Sequence, residues 1–313
     1  MEEKKYKLLE EDTIEVGGRT LYRIEALKDF CGVRKGDRGG YVESEKNLSH
    51  HNYCWVGGEA KVYDSAEVCY CARVYDCAEV YDCARVCGNA KVCGNAKVCG
   101  NARVCGNAKV CGNAQVYGFA QVYGNAKVYG NAQVYGFAQV YGNAKVCGDA
   151  QVYDWAKVYD RSNVCSFTNV CGDARVYGDA QVYGFARVCG EALVYDFAEV
   201  CGEARVYDRA LVFDRAKVSD SAKVYDSANV YGRAEIMGNA EVRSMEDYIV
   251  FKNWWSSGRY FTWTRSNNMW TVGCFYGTGD ELIKKAYADS ERSGQEYERI
   301  VKYVEEILED ERE

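Results

Sequence analysis

Residues 112–128 read GNAQVYGFAQVYGNAKV, and residues 130–146 repeat them letter for letter. The shift is 18 residues, three times a shorter period that governs the middle of the chain. From Val56 to Val242 an aliphatic residue returns every six positions without an insertion, always valine except Ile236. Alanine follows four residues after each, from Ala60 to Ala240, with Ser162 and Thr168 as the substitutes. A fixed short period over this length is the mark of a solenoid. The unit is V-(Y/C)-(G/D)-x-A-x, and about thirty-one copies follow one another.

The residue types set the geometry of each unit. Valine is β-branched and suits a strand with its side chain turned inward. Its neighbours on either side, Tyr or Cys after it and Lys, Gln, Arg or Glu before it, then point outward. Gly or Asp two residues on tolerates a tight turn at positive φ. Alanine lets the chain close up at a corner. Each hexad is therefore one short strand and one corner, and the 18-residue identity makes three hexads a coil. The expected fold is an all-β solenoid of about ten triangular coils, rising about 4.8 Å per coil. In-register stacking then places Phe119, Phe137 and Trp155 at one corner on successive coils. It also places Tyr123, Tyr141, Tyr159, Tyr177, Tyr195, Phe213 and Tyr231 in one outward aromatic ladder. Three valines and three alanines per coil leave no room inside for a ligand, so function must sit on a face, at an end or between chains.

The ends break the hexad register. Residues 1–55 read as an N-terminal β cap, with strands at Tyr6–Leu9, Ile14–Val16 and Thr20–Ala26 and a turn at Gly17-Gly18. The glycine-rich KGDRGGYVESEKNLSHHNYCW then leads into the repeat domain, 56–242, and the cap shields its open β edge. Residues 243–313 read as a small α+β module. Its expected parts are a strand at Asp247–Asn253, a hairpin of Arg259–Arg265 and Met269–Tyr276, a capping-box pattern at Thr278–Glu281, and helices Glu281–Ser290 and Gln295–Asp310 separated by Gly294.

The V-x-G-x-A-x hexads resemble the hexapeptide-repeat superfamily, and that resemblance implies a left-handed parallel β-helix. The end segments LYRIEALKDF with GDRGGYVESEKNLS, and VFKNWWSSGRYFTWTRSNNMW with VGCFYGTGDELIKKAY, are similar to hexapeptide-repeat proteins of bacteriophages and prophages. This implies a mobile-element origin and little about mechanism.

Composition bounds the function. The net charge is −7, divided as −1 over residues 1–55, −2 over the repeats and −4 over 243–313. A near-neutral rod argues against DNA mimicry, and direct DNA binding is unexpected. No apolar run reaches the length of a membrane helix, and the charged MEEKKYKLLEEDTIEV has no signal core, so a cytoplasmic protein is expected. There is no proline where about fifteen would be ordinary for this length.

Enzymatic readings find little purchase. Hexapeptide acyltransferases are expected to use a histidine base near a coil and a groove between subunits. The only histidines here, His50 and His51, lie in the cap. Two adjacent histidines do not supply the three ligands of a γ-class carbonic anhydrase metal. The 17 cysteines mostly take the outward tyrosine position and read as reduced thiols, with no zinc spacing. No metal or cofactor is expected.

The binding candidates are two. The tyrosine ladder is an apolar stripe suited to a homo-oligomer, such as a trimer packed along the rod, or to a protein partner. In the C-terminal module, Lys252, Trp255, Arg259, Phe261, Trp263 and Arg265 interleave cations with aromatics, and alternation puts Arg259, Phe261, Trp263 and Arg265 on one face. That face suits a small nucleotide or a partner, or is the core of the hairpin. The expected function is non-catalytic: a phage-type binding or scaffold protein that sequesters or inhibits a host factor, a defence component included. The alternatives are a hexapeptide acyltransferase and a self-assembling structural protein.

Overall fold

The computed structural model describes residues 4–310; residues 1–3 and 311–313, the extremities of the expected cap and module, lie outside the described residues. The chain is a parallel β-solenoid of about 11 turns. It divides into two compact units at Phe185/Ala186.

The first unit opens with an antiparallel hairpin, Tyr6–Val16 against Arg19–Ala26. Gly17 and Gly18 turn it, both at positive φ. The first strand runs through the gap the sequence reading left after Leu9, at the cost of a register shift between Leu9 and Thr13. Strand Arg38–Val42 converts one kind of pairing into the other. It is antiparallel to Arg19–Ala26 on one side and parallel to Lys61–Val62 on the other.

From there two-residue strands recur every six residues and pair with strands 18 residues away. Lys91, Lys109, Lys127 and Lys145 stand in register on one face, and Gln121 pairs with Gln139 on another. The links are ordinary backbone bonds: the Gln121 N–H donates to Ala138 O at 2.9 Å and the Tyr123 N–H to Val140 O at 3.0 Å. Inside, the repeat valines and alanines are essentially fully buried.

The corners explain the choice between Gly and Asp. Their backbone is left-handed, with φ of 69° at Gly118 and 56° at Asp154. Glycine adopts this freely, and aspartate is among the few other residues that tolerate it. Aspartate adds a bond, because its carboxylate accepts the corner N–H of the next coil: Gly100 N donates to Asp82 at 2.9 Å and Gly172 N to Asp154 at 3.1 Å. Asparagines one residue further on form side-chain ladders, Asn89 to Asn107 to Asn125 to Asn143, at 3.0–3.1 Å.

The second unit carries the same strands from Arg187–Val188 to Glu241–Val242, then an antiparallel sheet and two helices. The sheet has four strands, Tyr248–Lys252, Tyr260–Thr264, Met269–Val272 and Phe275–Gly277. The single arm expected over Met269–Tyr276 is thus two strands, because the chain reverses at Gly273 (φ 57°). Helix α1 is Gly279–Asp289 and carries the expected capping box of Thr278 and Glu281. Helix α2 is Glu291–Asp310, so Gly294 does not separate the helices; the break is the extended Ser290. Gly294 serves packing instead, since a Cβ there would lie 2.2 Å from the Tyr287 ring.

The sheet closes the coil edge in this unit with side chains. Thr262 Oγ1 accepts the Glu235 N–H at 2.9 Å and Ser266 Oγ the Glu241 N–H at 2.7 Å. Those amides would otherwise await a further coil.

Candidate functional site

The expected cation–aromatic face of the C-terminal module is mostly core. Phe261 and Trp263 are each 1% exposed and Trp255 is 7% exposed, clustered with Trp270, Leu282 and Val301. The ring of Trp255 meets Tyr297 edge-on at 5.1 Å. The correction has a plain cause: α1 and α2 lie on this side of the sheet, while Thr262 on the other side meets the coil. Both faces of Tyr260–Thr264 are therefore covered. The cations sit at its ends. Arg265 Nε donates to Glu246 O at 3.1 Å, clamping the turn before the sheet. Arg259 is exposed at a shallow groove with Asn253, Cys274, Lys285 and Asp289. Lys252 is exposed with its ammonium 5.8 Å from the Tyr260 ring, and Arg233 lies 5.1 Å from the same ring. Trp254, which was not singled out within the candidate face, is 68% exposed.

The tyrosine ladder stands as expected within each unit. Tyr123, Tyr141, Tyr159 and Tyr177 stack at 4.8–4.9 Å with rings within 2° of parallel. Tyr195, Phe213 and Tyr231 stack at 5.0 and 5.4 Å. Each ring covers its neighbour, so these side chains are half-buried, and Tyr231 is the most open of them, at 39%.

The corner column is more open. Phe119, Phe137 and Trp155 stack at 5.0 and 4.2 Å yet remain 42–55% exposed. Beside them on one face run Tyr117, Tyr135 and Tyr153, with Tyr117 and Tyr135 donating to Gln133 and Gln151. On the other face run Gln121 and Gln139, then the ladder from Tyr123. Three successive coils thus present the same order of carboxamide, phenol, aromatic corner and phenol. The stacking consumes the ring faces, leaving their edges outward, which suits an apolar partner surface better than an intercalating base.

The histidines are held in the cap. His50 stacks on Tyr6 at 4.3 Å and its Nδ1 accepts the Lys5 N–H at 3.2 Å. Its Nε2 faces Glu45 at 3.6 Å. Burial holds its pKa below the ordinary histidine value, against the pull of Glu45 and with help from Lys5 and Lys4. A protonated Nδ1 could not accept the Lys5 N–H, so neutral His50 belongs to the fold. A depressed folded value means that the unfolded chain binds the proton more readily, so stability falls as pH drops below about 6.5. The cap should melt more easily at pH 5.5 than at pH 7.5. His50→Gln should flatten that difference, as followed by hydrogen exchange over residues 6–26; an unchanged pH dependence would refute the assignment. His51 lies apart, in an open groove with Ser49, Glu67, Tyr70 and Arg85.

The thiol expectation needs one correction. Cys147 and Cys165, adjacent rungs of one outward column with Cα atoms 4.6 Å apart, form a disulfide. Cys31, Cys54, Cys69, Cys87, Cys105 and Cys274 are among the free thiols. Among the described residues no group of three or more His, Cys, Asp or Glu side chains is placed to hold a metal. No described helix is long and apolar enough to cross a membrane.

Residues 120–136, 138–154 and 170–184 match the family model described as the YdcK beta solenoid repeat. These stretches contain Tyr123, Tyr141 and Tyr177 of the tyrosine ladder, and Phe119, Phe137 and Trp155 lie just outside them. No curated protein matches the chain.

Proposed function

We propose that the chain is a non-catalytic binding and scaffold protein, of the phage or prophage kind that its end segments resemble, acting in the host cytoplasm on a host protein such as a defence component. The observation that carries this reading is the exposed corner of Phe119, Phe137 and Trp155 on a rod whose interior is filled by valine and alanine. A contiguous apolar stripe on a rigid support is the usual form of an interaction surface. The burial of Phe261, Trp263 and Trp255 favours the repeats over the C-terminal module as the recognition surface in this reading. The left hand of the coil and the hexapeptide-repeat ancestry belong to the same proposal, as does assembly of several copies through the tyrosine ladder.

The test compares the intact protein with Phe119→Asn/Phe137→Asn/Trp155→Asn as baits in bacterial lysate, with retained proteins read by mass spectrometry. Asparagine is the repeat's own residue at this corner position, as at Asn101. A protein retained by the intact chain and lost at least tenfold by the variant supports the reading. Equal retention places recognition elsewhere, and retention of nothing but further copies of the chain favours self-assembly.

A further inference from the structure

The net charge of the repeats conceals an island. Between Asp82 and Asp149 the sequence holds seven basic residues and not one acidic residue. The flanks are acidic: residues 1–82 carry 12 basic and 17 acidic residues, and residues 149–313 carry 20 and 29. A belt of +7 thus interrupts a chain of net −7. The island lies wholly within the first unit.

Four of its cations form a single row. Lys91, Lys109, Lys127 and Lys145 are consecutive rungs of one parallel ladder. All four are exposed. No ion pair joins any of them to a described carboxylate, whereas Lys61 and Lys97, in a neighbouring ladder, share Glu79 at 3.2 and 3.3 Å. Rungs are about 4.8 Å apart, so adjacent ammonium groups repel one another if their side chains run parallel. Beside this row the ladders carry neutral asparagines at the corners and Cys93, Cys111 and Tyr129 on the face.

We propose that this face binds the sugar–phosphate backbone of a nucleic acid strand, without reading its sequence. The four-lysine row spans about 14 Å along the rod, a length that about four steps of one strand cover at 3.4 Å of rise each, so the row can meet four phosphates. Lysines with amide side chains are the groups that contact phosphate and fix a strand without discriminating bases. A protein partner fits less well, because lysine is depleted at protein interfaces. The face does not adjoin the aromatic corner, so this inference stands or falls independently of that surface.

The test is fluorescence anisotropy with a labelled 20-nucleotide single strand and a 20-base-pair duplex, titrated from 50 to 200 mM salt. One variant is Lys91→Gln/Lys109→Gln/Lys127→Gln/Lys145→Gln; glutamine holds the same repeat position at Gln115 and Gln133, so the coils tolerate it. The control removes four charges from another face, Arg85→Gln/Arg103→Gln/Lys157→Gln/Arg175→Gln. The intact protein should bind with a log–log salt slope of about −2.8 for the single strand or −3.6 for the duplex, four contacts in each case. The lysine variant should lose at least tenfold in affinity at 50 mM salt and flatten the slope, while the control stays within about twofold. No binding by the intact protein overturns the proposal. So does equal loss in both variants, or competition by poly-glutamate as strong as by the unlabelled strand.

Discussion

Lys5→Met should loosen the N-terminal cap by about 2–5 kcal/mol. Lys5 is 1% exposed although it sits in the run KKYK, and its ammonium is spent on the cap. It donates to Ser49 O at 2.7 Å, to Cys54 O at 2.8 Å and to Cys54 Sγ at 3.2 Å. Burial lowers its pKa, with Cys54 opposing the shift. The lysine therefore bears a desolvation cost, which the substitution would relieve. The larger change is on the acceptor side: two carbonyls lose their charged donor, at about 1–3 kcal/mol each. Lys5 also holds His50 through its N–H and Leu27 through its carbonyl, so the loosening should spread through residues 6–27. Native-state hydrogen exchange checks it. Protection over Tyr6–Ala26 should fall at least tenfold relative to the repeats, whose coils are held only by their neighbours. Unchanged protection would mean that solvent replaces the ammonium without cost.

How much of this was open to sequence reasoning depends on the distance over which each residue is satisfied. The repeat was fully legible, because every valine finds its partner at a fixed 18-residue interval that the sequence itself displays. The stacked corner Phe119–Phe137–Trp155 followed from the same register, and so did the tyrosine ladder. Lys5 was not legible: its acceptors lie 44 and 49 residues away in an irregular loop, and nothing in KKYK distinguishes a buried lysine from a solvated one.

The C-terminal strand failed differently. Alternation correctly grouped Phe261 with Trp263, but it says nothing about what covers each side. Two helices lie on one side and a coil edge on the other, so a pattern that suggested a half-open face belongs to a strand covered twice. Gly294 carried a real signal with a second meaning, since glycine both ends helices and admits a neighbouring ring. The charge island was legible but averaged away: summed over 56–242 the repeats are nearly neutral, and only a shorter window separates the acid-free coils from the acidic ones.

Gly40→Val should detach the cap from the first coil at a cost of about 3 kcal/mol or more, and should make the protein associate. Gly39 and Gly40 lie in Arg38–Val42, the strand that joins the antiparallel cap to the parallel coils, and both are buried. Their φ angles are not left-handed; what they supply is closeness. A Cβ at Gly40 would lie 2.4 Å from Ala60 O and 2.8 Å from Val56 Cγ1, and one at Gly39 would lie 2.4 Å from Val56 O. The carbonyl of Ala60 accepts the Tyr41 N–H at 2.8 Å, so it cannot retreat without breaking the pairing it makes. Overpacking against a fixed backbone falls in the upper range of single-residue effects. Once the strand lifts away, the ladder beginning at Lys61–Val62 is left with open backbone groups, a template for another chain. The variant should therefore form concentration-dependent oligomers, seen by light scattering, while circular dichroism retains the β signal of the coils. Gly40→Ala should do the same to a smaller degree. A Gly40→Val protein that stays monomeric with a protected cap would show that the strand can shift to admit the side chain, and that the cap does not act as the barrier to end-on growth.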